Sequence, residues 1–416
     1  MTGQSAAVPR QLGAYSMVRL GSVARIQPGL TLDAGKAMTL PTVSRPYLRV
    51  ANVQDGWVDL SEMKEVDVPR VLAHRWELQY GDVLMTEGGD ADKLGRGAVW
   101  KGEIPGCLHQ NHVFAVRPGG KLYPPYLGFV TQTSYARAYF EATSSKTTGI
   151  ASTSASKIAS FRIPLPPIED QIRIDGFLDA ETARIDAIAT KKRRLVELLT
   201  ERRAGFIETE IRRLADQFGS FRLKTAVSVI TVGIVVTPSA WYADNGSPAL
   251  RGVNVRPGRI DLDDLVYLSS EGQLLHQKTI LRTGDVVVVR TGQAGAAASV
   301  PPSLNGANCI DLLIVRPGKL NAEYLVNVVN SDWTQKHIRK HSVGTIQSHF
   351  NVETMAELPL PVPPPAIQEA VVARISRYTE KTDRIIAALD EQVSLLRERR
   401  QALITMAVMG KLQIQK

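Results

Sequence analysis

The chain has 416 residues, 44% of them apolar, and a formal net charge of +9. That length suits roughly two or three domains with real cores, and the positive balance admits an anionic partner, although the charge is spread along the chain and argues only modestly for nucleic acid. Two cysteines, Cys107 and Cys309, exclude a disulfide framework and leave no metal-ligand spacing, which fits a cytoplasmic protein.

The N-terminus has no apolar signal core, and the longest apolar stretch, "VSVITVGIVV" at residues 227–236, is too short to span a bilayer. Residues 1–167 read as a compact α+β domain. Its strand "GDVLMT" (81–86) is opened by a Gly-Asp turn and followed by a Gly-rich loop, "EGGDADKLGRG" (87–97). A helical stretch (124–142) and a polar closing loop, "TSSKTTGIASTSAS" (143–156), complete it. The break "IPLPPIEDQ" (163–171) then starts a helix over 168–213, because proline disfavours helix in the residue before it and lacks a donor.

Along that helix, alternating steps of four and three give an apolar seam: Ile174, Leu178, Ile185, Ile188, Leu195, Leu199 and Phe206. Apolar residues at 3.5-residue spacing with charges between them predict a coiled coil. About 40 residues would make a rod of about 60 Å.

The rest of the chain repeats this plan. "YLRVANVQDGWVDL" (47–60) aligns with "ALRGVNVRPGRIDL" (249–262), "LQYGDVLMT" (78–86) with "LRTGDVVVV" (281–289), and "VFAVRPGGKL" (113–122) with "LLIVRPGKL" (312–320). Residues 214–365 are therefore a second domain of the same kind, with its own Gly-rich loop (290–298) and closing loop (341–353). A second break, "LPLPVPPPAIQ" (358–368), leads into a second helix and tail over 366–416. Gln171 aligns with Gln368, an offset of 368 − 171 = 197, and "LLTERR" (198–203) falls on "LLRERR" (395–400). The second seam is Val371, Ile375, Tyr378, Ile385, Leu389, Leu396 and Leu403. A period near 200 is too long for a solenoid unit and marks a duplicated module. Antiparallel pairing of the two helices would relate the copies by a pseudo-two-fold axis and set the two domains at opposite ends of a rod.

The paired breaks, the "LLTERR" and "LLRERR" segments, the terminal "MAVMGKL" (406–412) and the "GDV" strand openings resemble the specificity (S) subunit of type I restriction–modification enzymes. The resemblance covers essentially the whole chain. It implies two target recognition domains, each reading one half of a bipartite double-stranded DNA site. It also implies that the long helices act as spacer and as dock for two modification subunits, which carry S-adenosylmethionine and methylate adenine. Restriction/translocase subunits can join, and the S subunit itself has no catalytic centre, cofactor or metal. The family's break often ends in Glu-Gln. This chain has Asp170-Gln171 and then Ile367-Gln368, so the acid is lost in the second copy.

No competing catalytic motif is complete. "YPPY" (123–126) lacks the Asn or Asp of amino-methyltransferases and reads as a helix start. "MGKL" lacks the upstream glycine and Ser/Thr of a phosphate-binding loop. "SEMK" (61–64) has the Glu-x-Lys of nucleases without the preceding Pro-Asp. A self-sufficient methyltransferase or nuclease, or a coiled-coil scaffold that binds only protein, are the alternatives.

Base readout needs Arg for guanine and Asn or Gln for adenine, while phosphate contacts supply most of the grip. Such groups sit on loops. In the first domain they are Lys93 and Arg96 in the Gly-rich loop and Lys146, Thr147 and Thr148 in the closing loop. In the second they are Arg290 and Gln293, with Thr345, Gln347, Ser348 and His349. The loops differ between copies while their flanks match, the pattern expected of one scaffold reading two different half-sites.

Overall fold

The computed structural model describes residues 15–31, 41–89, 94–147, 150–342 and 350–414. It contains two compact units, one made of residues up to Lys192 together with Glu391 onward, the other of Arg193–Asp390. Compactness thus divides the chain inside each long helix rather than at the proline breaks.

In the first unit a four-stranded antiparallel sheet runs in the order Ala24–Pro28, Val113–Pro118, Val83–Thr86, Gly97–Val99. The central Val83–Thr86 strand is buried throughout, so it reads as a continuous apolar run instead of an alternation. A second sheet orders Lys64–Pro69, Thr42–Leu48 and Leu108–His109, the last pair parallel. Helices Pro124–Thr131 and Ser134–Thr143 contribute Tyr126, Leu127 and Phe140 to the core beside Met85, Val116 and Phe161. Pro124 and Pro125 occupy the first turn, where a missing donor costs nothing, so "YPPY" is a helix start.

The second unit has the same plan. Its four-stranded sheet runs Val229–Val232, Leu312–Arg316, Val286–Val289, Ala297–Ser299, and Asn308–Cys309 again pairs parallel with Ser247–Leu250. Two sequence motifs close on each other in both units. Gly81 and Gly284 turn with φ of 87° and 83°, a conformation only glycine adopts without strain. The aspartate that follows is buried: Asp82 takes a bidentate pair from Arg117 at 2.7 and 2.8 Å, and Asp285 lies 3.6 Å from Arg316. "GDV" and "VRPG" are therefore two halves of one ion pair.

The proline breaks are joints fixed by a buried glutamine. Gln171 Oε1 accepts from Tyr123 N at 2.8 Å while its amide donates to Pro166 O at 2.8 Å. Gln368 does the same with Asn321 N and Pro363 O, at 2.8 Å each. Tyr126 and Tyr324 hydroxyls each donate to the break, to Pro164 O and Pro361 O at 3.0 Å. The acid before the glutamine makes no such bond, which explains why Ile367 can stand where Asp170 does: the joint uses the amide.

Two long helices follow the breaks, Ile168–Phe218 (51 residues) and Pro365–Val408 (44 residues). Each unit holds a half of both, running antiparallel. In the first, Asp186 meets Arg400 at 3.2 Å and Lys192 meets Gln392. In the second, Arg203 meets Asp383, Glu210 meets Arg374, and the Phe206 and Tyr378 rings stack with centroids 4.1 Å apart.

The helical face turned inward departs from the expected seam. Ile174, Leu178, Ile185, Val371, Ile375 and Leu389 are buried, and Leu199, Phe206, Tyr378, Leu396 and Leu403 are half-buried. Ile188, Leu195 and Ile385 are instead 39%, 43% and 40% exposed. The inner face takes two steps of four, Ile174 to Leu178 to Thr182, then continues through Ile185, Ala189, Val196 and Leu199. An α-helix of 3.6 residues per turn drifts against a strict 3.5 repeat, and taking the step of four before the step of three moves alternate seam positions by one residue while Ile185 and Leu199 keep their places. Thr182 tolerates burial because its hydroxyl donates to Leu178 O at 2.7 Å.

Candidate nucleic-acid interface

In the first unit the two expected loops come together. Gly88–Gly89, just past the central strand, pairs with Ile150–Ser152, which pairs in turn with Ser145–Thr147. Lys146 and Thr147 lie on that last strand, and half-buried Arg96 lies at the far end of the Gly-rich loop. Lys93 and Thr148 fall outside the described residues, as do Thr345, Gln347, Ser348 and His349 in the second unit.

Gly95 and Gly295 serve packing. Their φ values are +66° and +89°, and an added Cβ would lie 2.3 Å from the Phe140 ring or 2.9 Å from Gln335 and Ile338. They let the described part of each loop approach the second helix of its domain closely. Gln293 is exposed, with Arg256 reaching its Oε1 at 3.5 Å.

Arg290 behaves differently from a free DNA contact. Its guanidinium pairs with Asp311 at 2.6 Å, its Nε donates to Phe350 O at 3.4 Å, and its side chain is 18% exposed. The residue in the same place in the first unit is Glu87, whose carboxylate accepts from His112 Nδ1 at 2.5 Å. Sequence reading missed Glu87, His112 and Asp311. The signal was present in the alignment of the copies, where Glu87 and Arg290 both follow the central strand with opposite charge.

The repeated "LRVANV" and "LRGVNV" segments, in contrast, are self-bonded. Asn52 Oδ1 accepts from Arg49 N at 2.9 Å and its amide donates to Asp59 O at 2.8 Å. Asn254 repeats this with Arg251 N at 2.9 Å and Asp263 O at 2.8 Å. Here the matched polar residues hold a turn and do not face a ligand.

Two further asymmetries distinguish the units. His109 is fully buried, Nδ1 donating to Val113 O at 2.7 Å, and burial pushes its pKa down. Cys309 takes that strand position in the second unit, and burial pushes its thiol up. A cavity of about 210 Å³ between Tyr80, Lys101, Tyr123 and Phe129 holds Asp175, whose pKa is pushed up to about 6 by burial and then by Asp179. At the 197 offset the second helix has Val372 and Ser376 instead. Among the described residues no group of three or more His, Cys, Asp or Glu could hold a metal ion, and no helix is long and apolar enough to cross a membrane.

Residues 256–395 match the family described as Type I restriction modification DNA specificity domain. The provisionally named MjaX type I restriction enzyme specificity subunit of Methanocaldococcus jannaschii is 18% identical over 404 residues, covering 94% of this chain and 91% of its own. The EcoKI specificity subunit of Escherichia coli K12 is 26% identical over 268 residues, 59% of this chain and 54% of its own. The fold matches a solved chain described under complex assembly and conformational transition of the type I R-M system, with a TM-score of 0.71 at 19% identity, over 98% of this chain and 100% of that one.

Over most of its length the chain is similar to type I restriction–modification specificity subunits.

Proposed function

We propose that this chain is the non-catalytic subunit that reads a bipartite double-stranded DNA site, one globular domain (1–167 and 214–365) per half-site. The carrying observation is that the two units share their scaffold bonds, the Asp–Arg pair and the glutamine joint, yet differ in the loops beside the central strand. A duplicated scaffold with divergent loops suits two unlike half-sites. Lys93, Arg96, Lys146, Thr147 and Thr148 on one side, and Gln293, Thr345, Gln347, Ser348 and His349 on the other, supply phosphate and base contacts. Arg290 holds its loop rather than the DNA.

The long helices (168–213 and 366–416) form an antiparallel coiled-coil spacer and dock two adenine methyltransferase subunits, which bring S-adenosylmethionine; restriction subunits can join. Exposed apolar residues support two equivalent docks: Ile188 and Leu198 on the first helix recur as Ile385 and Leu395 on the second, each 197 residues on. Solvent-exposed apolar rows of this kind mark protein contacts. Coexpression with the modification subunits, followed by mapping of methylated adenines, tests the reading. A two-part motif is expected, and insertions within either helix should alter its spacer. Methyl transfer by the purified chain alone would overturn it.

A further inference from the structure

We propose that Glu87–His112 and Arg290–Asp311 are polarity-inverted locks that position the two closing loops, and that each lock governs the specificity of one half-site. This rests on the bipartite reading above. In each unit the residue after the central strand anchors the far end of the closing loop through its backbone: Glu87 O accepts from Thr153 N at 2.7 Å, and Arg290 O accepts from Phe350 N at 3.2 Å. Its side chain is then pinned by a residue on the turn that precedes the neighbouring strand, His112 in one unit and Asp311 in the other.

The charges are reversed. In the first unit the strand-end residue is the acceptor, a carboxylate, and the turn residue the donor. In the second the strand-end residue is the donor, a guanidinium, and the turn residue the acceptor. In both, the turn residue is the more exposed member, 54% for His112 and 41% for Asp311, against 29% for Glu87 and 18% for Arg290. The surface next to the closing loop therefore offers an imidazole in one domain and a carboxylate in the other. Asp311 also holds an unusual φ of 51° and accepts from Thr291 Oγ1 at 3.3 Å, which fixes its orientation. Charge-assisted bonds of this kind are about twice as strong as neutral ones and are directional, so they can set the angle of a loop on which base contacts stand.

The test uses the chain assembled with its modification subunits in a methylation-free host, with adenine methylation mapped across the genome. Glu87→Gln is expected to relax base preference in one half of the motif only, and Asp311→Asn in the other half only. Amide exchange at Thr153 should accelerate about tenfold in Glu87→Gln. The transplant Glu87→Arg with His112→Asp should keep Thr153 protected while altering the same half-site, which separates orientation from general loss of folding. Retention of the full motif by both single variants, equal blurring of both halves, or unchanged exchange at Thr153 would overturn the proposal. An unmodified chain that writes no two-part motif would instead sink the bipartite reading, a result the single variants cannot mimic because each leaves one half intact.

Discussion

The two units differ most where their bonds are made between side chains and least where a side chain meets the backbone. Gln171 and Gln368 bind backbone groups at matching 2.8 Å distances, and Asn52 and Asn254 do likewise. The side-chain pairs vary: Asp82–Arg117 is bidentate and Asp285–Arg316 is open, while Glu87–His112 and Arg290–Asp311 exchange signs. A backbone partner cannot mutate, so the side chain that meets it is held. A side-chain partner can change with its mate, so duplicated modules diverge there first.

The largest test of that contrast is the buried aspartate. Asp82→Asn leaves Arg117 facing a neutral amide inside the first unit and should cost about 3 kcal/mol, since breaking a buried pair from one side strands the other charge. Asp285→Asn should cost less, because its pair is already 3.6 Å apart. Denaturant unfolding of the complete chain, read with probes placed in each unit, gives both values; equal losses would mean that the geometric difference carries no energy. Next come the joints. Gln368→Leu should cost about 2 kcal/mol by stranding a backbone N–H and a carbonyl, and Gln171→Leu somewhat more, because its amide also donates to Lys121 O at 3.0 Å. A larger loss at Gln368 would break the idea that the shared backbone bonds are energetically equivalent.

Much of this was legible in sequence, for a physical reason. Glycine–aspartate turns, proline breaks and apolar strands are local signals, and their duplication made a weak pattern specific. The helix phase was less legible: Thr182 reads as polar in a seam count, yet its hydroxyl satisfies itself within the helix and permits the second step of four. The ion pair of Arg290 was not legible, because an arginine in a Gly-rich loop looks like a DNA contact, while its partner Asp311 lies 21 residues away. Pairings across that distance are set by sheet register, which composition and periodicity do not carry.

Two titrating groups sharpen the comparison at smaller energies, and with opposite signs. His109 has a folded pKa below its ordinary value, so the neutral form is preferred; its contribution is present above about pH 6.5 and is lost as pH falls below that. His109→Cys, which installs the residue of the second unit, should flatten the acid sensitivity of the first. Asp175 is the reverse case: its pKa is raised to about 6, so the fold favours the protonated acid and loses stability as pH rises through that value. Asp175→Val, again the residue of the second helix, should stabilise the first unit by about 1 kcal/mol at pH 8, after allowance for solvent screening, and by little at pH 4. An effect that does not depend on pH would assign the gain to filling the cavity with an apolar side chain and not to removing a strained charge.

The smallest effect on folding should come from the exposed isoleucines. Ile188→Ser and Ile385→Ser remove apolar surface already about two-fifths in water, so each should shift the chain's own stability by less than about 0.5 kcal/mol. If those positions belong to docks for the modification subunits, the same substitutions should each weaken copurification at one dock, and the double variant should abolish it. Binding that survives the double variant would place the docks elsewhere on the helices and leave the one-residue shift of alternate seam positions as a matter of packing alone.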